Sequence, residues 1–125
     1  MALIQSFRDL DVYKLGREQS RKIFAVTRSF PREERFSLTD QIRRSSRAVG
    51  AIIAEGWAKR KYPDAFVYKL YDAMGESMET QSWLDQAYDC DYIDHELYCE
   101  LNDAWQHIGA MLNRMIERAG SFCGQ

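Results

Sequence analysis

This sequence contains few of the residues from which metal sites and disulfide frameworks are built. Its 125 residues include three cysteines, two histidines and two prolines. The cysteines (Cys90, Cys99 and Cys123) form no C-x-x-C pair and fit no metal-binding spacing, and their odd number argues against a disulfide framework. We therefore expect reduced thiols and no bound metal. A Cys90–Cys99 bridge across the last interhelical turn is the alternative after oxidation.

Long apolar runs are also absent. No run approaches the roughly 20 residues that a membrane-spanning helix requires, and residues 1–11 lack the basic-then-apolar order of a secretory signal. We therefore expect a cytoplasmic protein without a membrane partner. Hydrophobic residues make up 46% of the chain, which is enough for the core of one domain. We assign residues 1–125 to that domain, with flexible ends at about 1–6 and 121–125.

Helical periodicity extends along nearly the whole sequence. Apolar residues at 3–4 spacing predict four helices: from Asp9 or Leu10 to Thr27 or Arg28, from Ser37 to between Ala58 and Lys61, from Pro63 onward, and from Asp94 to a stop at Gly120. Asp9, Asp94 and a Ser37–Asp40 capping box are the expected N-terminal caps. Because the connections are short, neighbouring helices should be antiparallel. The sequence therefore predicts an all-α, up-down-up-down four-helix bundle.

The third and fourth helices show strict 3–4 alternation. The predicted core stripe of the third helix comprises Val67, Leu70, Met74, Ser77, Gln81, Leu84 and Tyr88. That of the fourth comprises Leu97, Leu101, Ala104, Ile108, Met111 and Met115. We expect Ser77 and Gln81 to form a hydrogen-bonded pair that fixes the register, because buried polar groups are normally paired. The three tryptophans (Trp57, Trp83 and Trp105) should lie at the edges of their stripes.

The second helix has two faces on which another helix could pack. One face carries Leu38, Ile42, Ser45, Val49, Ile52, Ile53 and Gly56 at helical spacing. The far side carries small residues beside two arginines. A monomeric bundle requires only one buried face per helix, so we interpret the far side as an interface with a second copy of the chain. The candidate interface residues are Arg43, Arg47, Gly50, Ala51 and Ala54.

Charge is divided unevenly along the chain. Residues 1–61 carry a net charge of +7 and residues 62–125 a net charge of −9. This asymmetry fits complementarity within the bundle, head-to-tail association of subunits, or a basic surface for nucleic acid. We favour the first two, because the overall pI is only about 5.7 and nucleic-acid-binding domains are usually basic overall.

Catalytic signatures are not detectable. No Glu-x-x-His motif surrounds His95 or His107, no nucleophile–base set stands out, and no glycine-rich phosphate loop is present. Glu55 near the end of the second helix is more simply explained by an ion pair or hydrogen bond to a neighbouring helix than by catalysis. We therefore predict a protein that is not an enzyme, with no cofactor and no small-molecule substrate.

The basic residues of the second helix are candidates for nucleic-acid binding. They are Arg43, Arg44, Arg47, Lys59, Arg60 and Lys61. Arg43 and Arg47 lie one turn apart and are spaced to contact successive phosphates, but no aromatic residue interleaves them as a stacking platform. We favour a subunit contact instead, with acidic residues of the third or fourth helix such as Asp72, Glu76, Glu79 or Asp85.

Several motifs, in this order, resemble a bacterial four-helix-bundle family encoded in intervening sequences of 23S rRNA genes. They are Phe7-Arg8-Asp9-Leu10-Asp11-Val12-Tyr13, Phe30-Pro31, Glu34, Leu38, Gln41, Arg43-Arg44, Ala54-Glu55-Gly56, Arg60, Ala73, Gly75 and Glu79. The likeness extends over nearly the whole chain. Ile52 replaces the family's usual Asn, and Gly75-Glu76 replaces its usual Gly-Ser.

This resemblance implies a bundle that assembles as a homopentamer. It also implies a relative, the accessory protein of diversity-generating retroelements, which is a strongly basic pentamer that binds nucleic acid and reverse transcriptase. From the residues and the resemblance together, we expect a non-enzymatic homo-oligomer whose partner is itself, in a ring. The alternative is an RNA-binding or nucleic-acid-binding adaptor, with a nucleic-acid-processing protein as a further partner.

Overall fold

The computed structural model describes residues 3–123 and contains four long α-helices. In chain order they are α1 (Asp11–Thr27), α2 (Leu38–Ala58), α3 (Pro63–Asp89) and α4 (His95–Glu117). Single-turn 3-10 helices lie before α1 (Phe7–Asp9), between α1 and α2 (Arg32–Glu34) and after α4 (Ala119–Ser121). The described residues include no β-strand, and the all-α prediction is confirmed.

Neighbouring helices run antiparallel. Ser45, near the start of α2, hydrogen-bonds to Thr80, late in α3 (2.8 Å), whereas Glu55, near the end of α2, pairs with Lys69, near the start of α3 (3.6 Å). Contacts between α1 and α2, and between α3 and α4, likewise join the start of one helix to the end of the other. The fourth helix also packs against α1. The helices therefore form the predicted bundle, in the cyclic order α1–α2–α3–α4.

The most extensive helix–helix contact is that between α2 and α3. A Cβ atom on Gly56 would lie only 3.0 Å from Cβ of Lys69, so the absence of a side chain at Gly56 allows the two backbones to approach. The core face predicted for α2 is buried against this contact, with Ile42, Val49 and Ile53 among the least exposed residues of the chain. This packing fixes which way the remaining sides of α2 and α3 face.

The caps differ in part from those predicted. Asp94 caps α4 as expected, since its Oδ1 accepts a hydrogen bond from the Leu97 N–H (2.8 Å). The predicted cap at Asp9 is wrong for α1, because Asp9 instead completes a capping box with Ser6 on the preceding 3-10 helix. The Ser37–Asp40 box is also wrong, since the side chain of Ser37 makes no capping hydrogen bond. α4 ends at Glu117, before Gly120.

The core stripes of α3 and α4 are rotated from the predicted ones. The buried residues are Phe66, Leu70, Ala73, Ser77, Thr80, Leu84 and Ala87 in α3, and Leu101, Trp105, Ile108, Leu112 and Met115 in α4. Both stripes keep the 3–4 alternation. At several positions the buried residue is the neighbour of the residue predicted to be buried. The reason is that α3 and α4 each carry a second set of apolar residues with the same spacing.

The rotation changes the environment of the polar and aromatic residues. Trp105, predicted at an edge, is 0% exposed in the core. Ser77 donates to the carbonyl of Trp105 (3.1 Å), and Gln81 donates to Asn102 and Gln106 on α4 (both 3.0 Å). Ser77 and Gln81 therefore each bond to α4, and the predicted bond between the two is not formed.

The two segments expected to be flexible include residues 1, 2, 124 and 125, which lie outside the described residues. In the described part of the C-terminal segment, Phe122 packs against Phe66 with ring centroids 6.1 Å apart, and Cys123 is buried. Phe122 and Cys123 are therefore packed on the bundle. Among residues 3–123, no helix combines the length and the apolar character that a bilayer span demands.

A matched pair of substitutions tests the position of the α3 stripe. Phe66→Ala should lower the free energy of unfolding by about 3–5 kcal/mol, because it removes a buried aromatic side chain. Val67→Ala, at the predicted but only half-buried position, should cost on the order of 1 kcal/mol. Urea denaturation followed by circular dichroism at one protein concentration measures both. A larger loss for Val67→Ala would contradict the observed stripe.

Candidate functional site

The six basic candidates on and after α2 do not form one surface. Arg44 faces α3, where its guanidinium donates to Glu76 (3.1 Å) and to Glu79. The hydrogen bond to Glu76 is the larger cause of a raised pKa at Arg44. Glu76, which departs from the resembling family's pattern, is therefore half of an ion pair within the bundle. Arg44 is already engaged in the single chain.

Arg43 and Arg47 face α1 instead. Nε of Arg43 donates to the buried hydroxyl of Thr27 (2.8 Å), which fixes this guanidinium. The Cζ atoms of Arg28, Arg43 and Arg47 lie 4.9, 4.5 and 5.3 Å from the centroid of the Phe24 ring. Three guanidinium groups thus share one aromatic ring, in the range of cation–π contacts.

The basic cluster after α2 lies at the far end of that helix. Arg60 stacks on Trp57, with Cζ 3.6 Å from the ring centroid, and its Nε donates to the Trp57 carbonyl (2.9 Å). Lys59 and Lys61 are exposed. This cluster is separated from Arg43 by about four helical turns of α2, so the two groups are distinct surfaces.

The line where α1 and α2 pack, here called the α1–α2 seam, opens into a cleft at the end of α1. The cleft has a volume of about 490 Å³. Its lining contains four arginines and no carboxylate: Phe24, Thr27, Arg28, Phe30, Pro31, Arg32, Arg35, Thr39 and Arg43. We call this the arginine cleft. The sequence does not predict these arginines as one site, because Arg28, Arg32 and Arg35 lie before α2 and only Arg43 belongs to it.

Few of the described cations are neutralised by a carboxylate. Among residues 3–123, only Arg44 and Lys69 lie within 4.0 Å of a carboxylate oxygen. Both of these pairs join α2 to α3, and the Glu55–Lys69 pair confirms the structural explanation preferred for Glu55. The arginines of the cleft thus have no carboxylate partner in the described chain.

The opposite end of the α1–α2 seam forms a groove of about 320 Å³. Its lining includes the predicted small residues Gly50, Ala51 and Ala54, flanked by Arg17 and Arg47. A Cβ atom on Gly50 would lie 3.3 Å from Cε1 of Tyr13. The missing side chain at Gly50 thus permits close packing of α1 on α2 in the same chain. We call this the small-residue groove.

The outer side of α3 carries exposed apolar residues that sequence analysis did not single out. Tyr68, Tyr71 and Met78 are 71%, 53% and 59% exposed. Gly75 lies between them in open space, since a Cβ atom there would meet no neighbouring atom within 4 Å. Together these residues follow the spacing 68, 71, 75 and 78 of one helical face. We call this face the α3 ridge.

A third cleft, of about 500 Å³, lies between the start of α1 and the end of α4. Its lining mixes the acids Asp9 and Asp11 with the bases Lys14, Arg114 and Arg118. Opposite charges side by side give this cleft no preference for an ion of one sign. No group of three or more His, Cys, Asp or Glu residues in the described range is arranged to hold a metal ion.

Two tyrosine–carboxylate hydrogen bonds hold the turns of the bundle. The hydroxyl of Tyr92, in the α3–α4 connection, donates to Glu34 in the turn before α2 (2.7 Å), and that of Tyr98 donates to Asp85 (2.5 Å). Hydrogen bonding to the carboxylate raises the pKa of each tyrosine to about 12. The Tyr92 bond also fixes the turn that carries Arg32 and Arg35.

Comparisons with known proteins agree with this architecture. Residues 8–114 match the family profile described as 23S rRNA-intervening sequence protein. The structure is similar to the crystal structure of a protein of unknown function from the S23 ribosomal protein family of Bacteroides thetaiotaomicron. The two chains are 27% identical with a TM-score of 0.76, and the match covers 85% of this chain and 95% of that one. A search of curated proteins finds no match.

The raised tyrosine pKa values predict a loss of stability at high pH. Their contribution is complete below the unfolded-state pKa of about 10 and is lost as pH rises toward the folded-state value of about 12. Chemical denaturation at intervals from pH 9 to 12 should show this decline. A Tyr92→Phe/Tyr98→Phe double variant should decline less steeply over the same interval. Equal slopes for the two proteins would contradict the assignment.

Proposed function

Since the chain belongs to the 23S rRNA-intervening sequence protein family, we propose that it is a non-enzymatic, cytoplasmic bundle that assembles with copies of itself. In this proposal the copies form a ring, and the family resemblance implies that the ring contains five of them. The observation that supports this proposal best is the pair formed by the α3 ridge and the small-residue groove. The ridge presents large exposed side chains, whereas the groove is lined by the small residues Gly16, Gly50, Ala51 and Ala54 together with Phe7, Tyr13, Arg17 and Arg47. A protruding ridge and a recessed groove are complementary in shape.

The ridge and the groove lie on different helix pairs. The groove belongs to α1 and α2, whereas the ridge belongs to the outer side of α3. Packing of one copy's ridge into the next copy's groove is a head-to-tail contact. Such a contact repeats from subunit to subunit and forms a closed ring when the rotation between copies closes.

Charge favours the same contact. The groove is flanked by Arg17 and Arg47, whereas the α3 ridge has the exposed Asp64 and Asp72 beside it. Opposite charges at the rim of an interface guide the partners and fix their register. Of the predicted interface residues, Arg47, Gly50, Ala51 and Ala54 line the groove and keep their role in this proposal, with the α3 ridge as the surface that they meet. Arg43 lines the arginine cleft instead.

The assembly is tested by changing each side of the contact separately. Tyr71→Lys places a cation on the ridge opposite the arginines of the groove, and Ala51→Trp fills the groove. Both sites are exposed, so the fold should persist by circular dichroism. Size exclusion with light scattering should give a multimer for the unaltered protein and smaller species for each variant.

Phe36→Ser is the matched control for assembly, because Phe36 is 83% exposed and lies outside both the ridge and the groove. It should leave the multimer mass unchanged. A monomeric unaltered protein at micromolar concentration in low salt would overturn the assembly proposal. A multimer that persists in both Tyr71→Lys and Ala51→Trp would instead reject this interface.

Binding of RNA or another nucleic acid is the second candidate function. The observation that favours it is the set of arginines without a carboxylate partner, within the described chain, along the α1–α2 seam. Unpaired cations on one face attract the phosphate backbone, and such binding weakens steeply with salt. Of the six basic candidates, Arg43 and Arg47 support this function better than Arg44, which is paired with Glu76 and Glu79.

Charge reversal tests the contribution of the cluster after α2. Lys59→Glu/Lys61→Glu should lower the affinity for labelled RNA at low salt if that cluster contacts phosphates, because each reversed charge repels the backbone. Fluorescence anisotropy across a salt series measures the effect. No RNA binding at low salt would exclude the second candidate function. Unchanged affinity in the double variant would remove Lys59 and Lys61 from the binding surface.

A further inference from the structure

We propose that the arginine cleft binds a phosphate group of a single-stranded nucleic acid, and that the exposed ring of Phe36 beside it stacks on a base. This inference rests on the second candidate function and names its site. It is independent of the ridge-and-groove contact. The site is formed by the end of α1, the segment from Arg32 to Phe36 and the first two turns of α2.

The charge of the cleft is the first support. Arg28, Arg32, Arg35 and Arg43 line it, and none of the four has a carboxylate partner among residues 3–123. The acidic residues nearest in sequence are Glu33, Glu34 and Asp40, and none of them lines the cleft. Glu34 is held away by hydrogen bonds from Tyr92 (2.7 Å) and from the Leu38 N–H (3.4 Å). An anion would relieve the repulsion among the four guanidinium groups.

The cleft is also preorganised. Arg43 is fixed by its hydrogen bond to the buried Thr27 (2.8 Å), and the turn bearing Arg32 and Arg35 is fixed through Glu34. The planar guanidinium group presents a fork of donors that matches phosphate oxygens. Groups that are already in place lose less conformational freedom when a ligand binds.

An unpartnered hydroxyl gives independent support. Thr39 lines the cleft in the first turn of α2, is only 7% exposed, and its Oγ1 makes no hydrogen bond within the described chain. A buried hydroxyl without a partner is costly to the fold. A phosphate in the cleft would supply the missing acceptor once the Thr39 side chain turns toward it, because Oγ1 is shielded from solvent in this structure.

Phe36 determines the class of ligand that we propose. Its ring is 83% exposed, and Cζ of Arg35 lies 4.9 Å from the ring centroid. An exposed aromatic ring next to a basic cleft can stack on an unpaired base, which a duplex does not present. The sequence showed no aromatic residue interleaved with the basic residues of α2, because Phe36 belongs to the turn that precedes this helix.

The test uses the full-length protein and a labelled single-stranded RNA decamer at low salt. Arg32→Gln/Arg35→Gln should lower the affinity about tenfold or more and reduce the salt slope by roughly one to two, because two phosphate contacts are lost. Arg21→Gln/Lys22→Gln is the matched control, since these exposed residues of α1 line none of the three clefts and carry the same charge. Equal losses in the two double variants would overturn the cleft assignment.

Thr39→Val separates a ligand contact from a structural role. It keeps the shape of the side chain but removes the hydroxyl, so affinity should fall severalfold while thermal stability is unchanged or raised. Unchanged affinity would remove this contact from the proposal. Phe36→Ser should weaken binding of the decamer but not of inorganic phosphate, and Tyr88→Ser is its control on another exposed aromatic residue, which lies outside the α3 ridge, the groove and both clefts. Equal effects of these two variants would reject base stacking.

The source of the phosphate is distinguished by three probes. If decamers with a 5′-phosphate and a 5′-hydroxyl bind equally, and both lose affinity in the Arg32/Arg35 variant, the cleft binds a backbone phosphate. If only the 5′-phosphorylated decamer binds and inorganic phosphate competes, it binds a terminal phosphate. Either result supports the site. Binding that no cleft variant weakens rejects the site but retains the second candidate function, whereas no binding by the unaltered protein rejects both.

Discussion

The close contact between α2 and α3 determines where the other surfaces of the molecule lie. Gly56 allows Lys69 to approach, and the buried bond between Ser45 and Thr80 fixes the register of the two helices (2.8 Å). The core face of α2 is buried in this contact, so the far side of α2 lies along α1. The core face of α3 is buried as well, and the α3 ridge therefore lies on the outside of the bundle.

The parts of the fold that could be predicted from the sequence are those encoded by local periodicity and local caps. Four helices, their antiparallel order and the Asp94 cap follow from spacing and from short connections. The rotation of the α3 stripe could not be predicted, because the apolar residues Val67 and Met74 stand directly beside Phe66 and Ala73 and have the same spacing. With apolar residues at adjoining positions, periodicity alone does not identify which of the two is buried.

The candidate sites could be predicted only in part, because they depend on which charges meet across helices. Arg43, Arg44 and Arg47 look equivalent in the sequence. In the structure, Arg44 is paired with Glu76 and Glu79 on α3, whereas Arg43 and Arg47 lie over Phe24 of α1. Part of the opposite net charge of the two halves of the chain is therefore paired within the molecule, at the α2–α3 contact. The remaining positive charge, carried by arginines, lies unneutralised along the α1–α2 seam.

Self-assembly and phosphate binding need not compete for the α1–α2 seam. The small-residue groove lies at the end of the seam where Tyr13 meets Gly50, and the arginine cleft lies at the other end. No residue lines both: Arg43 lines the cleft, Arg47 lines the groove, and the two arginines contact the same Phe24 ring. In a ring closed through the groove, each subunit would keep its own arginine cleft. Identical clefts at fixed spacing would then bind successive segments of one strand, and linked sites of this kind raise the overall affinity without any new contact.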